Sequence, residues 1–135
     1  MPGLYGKALS IAEAISDPGL NVEVRLGLSR YHRLAGDGPK ARTWADDAFI
    51  FATRVGYLHK QGRSLAERSR VAWLCGDLPS AATDLRLAVE VLTPLEINFD
   101  AVYSRFLLAA LLHQQKSSET AAIWREAARD ILANG

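Results

Sequence analysis

Apolar residues recur along this chain at three- and four-residue spacing, the period of a helix with one buried face, and no segment sustains the alternation of a strand. Leu4, Ala8, Ile11, Ala12 and Ile15 share one face of a first helix over about Leu4–Ser16. Asp17-Pro18-Gly19 breaks it, and Val24, Leu28, Tyr31 and Leu34 form the stripe of a second helix over about Leu20–Ala35. A third starts at Lys40 and ends near Val55-Gly56, and a fourth covers about Leu58–Cys75. The fifth spans about Ser80–Leu92 before Thr93-Pro94, the sixth about Asn98–Gln114, and the seventh ends near Ala133. Short connections make neighbouring helices antiparallel. The expectation is an all-α fold of about seven helices in one domain, residues 1–135.

The pattern repeats itself. A step of 40 residues links Ala8, Ala48, Ala88 and Ala128, and the same step links Ala41, Ala81 and Ala121. It also links Ile11, Phe51, Val91 and Ile131, and then Ala12, Ala52, Leu92 and Leu132. Turn chemistry follows the same register: Gly36-Asp37-Gly38-Pro39 recurs as Gly76-Asp77-Leu78-Pro79, with a degenerate version at Gln115-Lys116-Ser117-Ser118. Glycine suits the position just past a helix, aspartate caps the next one, and proline fits its first turn. A fixed period of this length is the signature of a solenoid. The units fall roughly at 1–18, 19–56, 57–95 and 96–135.

These residues resemble tetratricopeptide repeats. In that family a small residue closes helix A, Gly-Asp often follows, and two alanines seven residues apart lie in helix B. Here the matching residues are Gly36, Asp37, Ala41 and Ala48, then Gly76, Asp77, Ala81 and Ala88, then Lys116, Ser117, Ala121 and Ala128. The period of 40 exceeds the family's usual 34. Leu28-Ser29 and Arg68-Ser69 stand where a Leu-Gly pair is usual. The longer period resembles the repeat arrays of large bacterial LuxR-type regulators. The resemblance implies a right-handed α-solenoid of antiparallel helix pairs whose concave wall is made by the A helices. Alanine at helix crossings permits close approach, and each pair is stabilised by stacking on the next.

Composition narrows the function classes. A formal net charge of +1, with 23% of residues charged, does not favour a general nucleic-acid or membrane-surface binder. Cys75 is the only cysteine, so no internal disulfide forms and a reducing, cytoplasmic setting is expected. The start lacks a basic region followed by an apolar core, so no signal peptide is expected. The longest strongly apolar run, Phe106–Leu112, is too short to span a bilayer.

Candidate chemistry is sparse. His32, His59 and His113 lack metal-ligand spacing, so no metal or other cofactor is expected. Buried packing is the expected role of Cys75. Gly36-Asp37-Gly38-Pro39-Lys40 lacks the Gly-Lys-Ser/Thr ending of a phosphate loop, and Asp46-Asp47 are helix neighbours that face different ways. No nucleophile elbow is present, and no enzyme is expected.

One constellation stands out. Aligned on the Gly-Asp turn, the resemblance puts Arg30 and Arg33 on the concave wall from one A helix, Arg70 and Trp73 from the next, and Phe106 and His113 from the third, with Arg63 and Tyr103 extending it. Arginine beside aromatic residues is the composition of binding hot spots. The competing expectation is a solvated face with intrahelical pairing to Glu23 and Glu67. The functional expectation is a non-enzymatic module binding a peptide or partner helix, acidic in character, in this groove. The alternative is a sensor or coupling domain of a larger bacterial regulator that binds a small effector. Apolar columns at both ends, including Ile11 and Trp124, add an expectation of self-association or of membership in a longer array.

Overall fold

The computed structural model describes residues 3–95, 104–108, 110 and 111. They form helices α1 (Gly3–Ile15), α2 (Pro18–Leu34), α3 (Gly38–Val55), α4 (Leu58–Leu74) and α5 (Leu78–Leu92), and a sixth helical stretch, α6, covers 104–108 and 110–111. No strand occurs among the described residues. The ends of the expected sixth helix and all of the expected seventh lie outside them.

Local chemistry sets the helix ends. The expected breaks are in part first turns, because aspartate caps let the helices begin earlier than the apolar stripes do. Asp17 accepts from Leu20 N–H at 3.0 Å, so α2 starts at Pro18 rather than Leu20. Asp37 accepts from Lys40 N–H at 3.1 Å and Asp77 from Ser80 N–H at 3.2 Å, so α3 and α5 start at Gly38 and Leu78. Each cap satisfies a backbone donor that has no partner within the helix.

The outgoing turns share one design. Gly36 N–H bonds Arg33 C=O and Asp37 N–H bonds His32 C=O; Gly76 and Asp77 bond Trp73 and Ala72 in the same way. Gly36 and Gly76 both have φ of +79°, a left-handed conformation that glycine adopts without a Cβ penalty. Gly56, at φ +71°, makes the equivalent bonds after α3. Ser16, 40 residues before it, takes the same region at φ +53° with a side chain present.

Packing follows the small residues. Ala41, Ala45, Ala48 and Ala52 lie on one face of α3 and are fully buried. Ala48 and Ala52 meet Val22 and Leu26 of α2, while Ala41 and Ala45 meet Val71 of α4. On α5, Ala88 and Leu92 meet Leu65 of α4, and Ala81, Ala82 and Leu85 meet Ala72 of α4 with Leu108 and Leu111 of α6. Residue numbers rise along one helix as they fall along the next, so consecutive helices run antiparallel. Ion pairs join Glu23 to Arg63 and Arg33 to Glu67, which makes α2 and α4 parallel neighbours.

Several buried polar groups tie the helices together. Ser29 Oγ donates to Ala41 C=O at 2.9 Å, tying α2 to α3, and Ser69 Oγ donates to Ala66 C=O at 2.6 Å. Arg25 reaches Asp47 at 2.8 Å and lies over Phe51. Arg68 grips both oxygens of Asp84, at 2.9 and 3.0 Å, and lies over Phe49. Its guanidinium pKa is raised, first by the hydrogen bond to Asp84 against the opposing effect of burial, then by the charges of Asp84 and Asp46.

Candidate binding groove

On α2, residues 23, 26, 27, 30, 33 and 34 fall on one helical face, and on α4 residues 63, 66, 67 and 70 do the same. Because α2 and α4 lie side by side and parallel, the two faces open onto one cavity of about 510 Å³. Leu92 of α5 and Ser104 of α6 complete it. The four arginines singled out in the sequence, Arg30, Arg33, Arg63 and Arg70, all line this cavity, together with apolar Leu26, Leu34 and Ala66.

Of the other candidates, the two that are described, Trp73 and Phe106, are not among the cavity's lining residues. Trp73 packs against the cluster built by Ala72, Leu85, Leu108 and Leu111, because α6 lies beside the end of α4. Phe106 is half-buried on α6 and is not among the cavity's described lining. Tyr103 and His113 lie outside the described residues.

Two carboxylates share the cavity with the arginines; the expected intrahelical pairing is present for Glu67 with Arg70, but the closer partners of both lie across the groove. Glu23 of α2 reaches across to α4, where one of its oxygens, Oε1, accepts from both Lys60 Nζ and Arg63 Nη1. Glu67 of α4 reaches back to α2, accepting from Arg33 Nε at 2.8 Å and Nη2 at 3.3 Å. Glu67 also takes Ser29 Oγ at 3.4 Å and, within its own helix, Arg70 at 3.5 Å. The physical reason is distance: parallel neighbours bring facing side chains as close as successive turns of one helix do. Arg30 is exposed on the cavity wall and forms no ion pair with the described residues. Its neighbour one turn back is Gly27, whereas Arg70 has Glu67 in that place.

A sequence signal for these carboxylates existed. Glu23 and Arg63 are 40 residues apart, so equivalent positions carry opposite charges that face one another once α2 and α4 are neighbours.

Cys75 also departs from expectation. The residue is exposed at the end of α4, although its Sγ sits against Gly38 at the start of α3. A Cβ added at Gly38 would lie 2.6 Å from Cys75 Sγ. Among the described residues no cluster of His, Cys, Asp and Glu converges as metal ligands do, and no helix is long and apolar enough to cross a membrane.

Comparison with protein-family models gives no match, and comparison with curated proteins gives none either.

Proposed function

We propose that the chain is a non-enzymatic interaction module of the tetratricopeptide type, stacked as a right-handed solenoid and working in the cytoplasm. Its α2–α4 groove binds an acidic segment of a partner protein that carries one or two apolar anchors. The observation that carries this reading is the convergence of Arg30, Arg33, Arg63 and Arg70 on one cavity with Leu26, Leu34 and Leu92 between them. Forked donors suit carboxylates, and exposed Leu34 offers apolar area that an anchor can cover. Neither nucleic acid nor a membrane is the partner in this reading.

A second reading has one observation in its favour. A cavity of about 510 Å³ falls within the range that encloses small molecules, so a small anionic effector of a larger regulator fits the same surface.

Titration of a labelled peptide alternating glutamate and leucine, beside its lysine-leucine counterpart and a panel of small dicarboxylates, separates the readings. The module reading expects the acidic peptide alone to bind. Arg30→Ala and Arg70→Ala should each weaken it by roughly 1–3 kcal/mol. Binding of the dicarboxylates without the peptide would favour the effector. Unchanged peptide affinity in both variants would move the binding surface away from this groove.

A further inference from the structure

The groove's cations are not equivalent, and the difference lies in how two carboxylates are shared. Arg33 holds buried Glu67 through two nitrogens and is itself only 20% exposed at the side chain. Glu23 is shared differently. One oxygen accepts from Lys60, whose side chain is 13% exposed, and from Arg63, which is 38% exposed and lines the cavity. Lys60 is not among the cavity's lining residues. The carboxylate can therefore release Arg63 toward the cavity while Lys60 keeps its charge compensated.

We propose that Glu23 is the specificity gate of the groove and Lys60 its positioning residue: an incoming carboxylate takes Arg63 from Glu23, which stays paired to Lys60. This rests on the groove reading above. Glu23 holds the place beside Arg63 that a ligand carboxylate would take, and Arg30, already without an ionic partner among the described residues, makes first contact. A ligand with one negative charge would meet Arg30 alone and gain little from displacing Glu23. One with acidic groups spaced to reach both Arg30 and Arg63 recovers the exchange. The partner class narrows to segments with at least two separated carboxylates, rather than a single terminal one.

The test uses the full chain, the labelled glutamate-leucine peptide and a salt concentration near physiological, where charges more than a Debye length of ~8 Å away are screened. Removing a facing like charge from a half-exposed site tightens binding, so Glu23→Gln should raise affinity about three- to fivefold. Lys60→Met should lower it by a similar factor, because Glu23 then closes on Arg63 alone, and Lys60→Arg should restore it. With Gln at position 23, Lys60→Met should change affinity less than about twofold, since Lys60 acts only through the carboxylate. Wild-type binding with Glu23→Gln unchanged or weaker would overturn the gate and leave the groove reading standing. Equal losses from Lys60→Met in both backgrounds would show Lys60 acting as a general cation, and would also overturn it. Thermal melts accompany each variant. Should the Gln variant fail to fold, equal affinities of the Lys60→Met and Lys60→Arg proteins overturn the proposal. No peptide binding by either wild type or Glu23→Gln would remove both this inference and the groove reading.

Discussion

Gly62→Ala sets two effects of similar size against each other, and the geometry decides between them. Alanine within a helix is favoured over glycine by about 1 kcal/mol. Against that, the added Cβ would lie 2.5 Å from Leu92 Cγ, 2.6 Å from Cδ2 and 3.1 Å from Cδ1. The closest atom is the branch point of the leucine, so rotating its terminal methyls does not relieve the clash. Leu92 is fully buried against Leu65 and Ala88, so a change of rotamer would have to displace packed neighbours. Either α4 and α5 move apart or Leu92 takes a strained position. Overpacking of this kind costs about 1–3 kcal/mol, and the upper half of that range applies here. A net loss of about 1–2 kcal/mol is expected, measured by urea unfolding followed by far-UV circular dichroism. Gly6→Ala is the control: nothing lies within 4 Å of its added Cβ, so propensity acts alone and stability should rise. Leu92→Ala deletes the three atoms that clash, so the double variant should be less destabilised than the two single costs combined, by about 1–2 kcal/mol. A Gly62→Ala protein more stable than wild type, or strictly additive costs, would refute the close approach of α4 and α5. Since Leu92 also lines the groove, peptide affinity should fall along with stability.

Asp77 titrates below the ordinary carboxylate range, first because of its hydrogen bond with the Ser80 side chain and then the Ser80 N–H. A lowered folded-state value means its stabilising contribution is complete above the unfolded value near pH 4 and fades as pH falls through the folded one. NMR titration should place its midpoint low, and Ser80→Ala should move that midpoint back toward the ordinary range. Arg68→Lys gives up the two-pronged grip on Asp84 while keeping the charge, and should cost about 1–2 kcal/mol in chemical denaturation, discounted because the arginine is partly exposed. Gly36→Ala forces a side chain into φ +79° and should destabilise by about 1–2 kcal/mol, while Ser16→Gly, at φ +53°, should shift the melting temperature upward.

Much of the molecule was legible from residues within a turn or two of one another. Helix periodicity, aspartate caps and left-handed glycines act over at most six residues, so α1 to α5 and the turns at Gly36 and Gly76 follow from local rules. The alanine face of α3 was legible too, because four alanines at helical spacing present one narrow surface whatever packs on it. Arg30, Arg33, Arg63 and Arg70 were grouped on one wall only through the resemblance to a repeat family, and they line one cavity because α2 and α4 lie side by side. Tertiary structure alone decided the rest. Glu23 pairs across helices, and Glu67 pairs across to Arg33 as well as along its own helix to Arg70, since the choice depends on separations that no spacing rule encodes. Trp73 turns to the α6 contact, although its spacing from Ala66 and Arg70 would equally serve the groove. Cys75 is exposed at the end of α4 although its Sγ meets Gly38 of α3, and Gly62 matters because Leu92 arrives from another helix. Local sequence sets which way a side chain leaves its own helix; the distance and angle between helices set what it meets there.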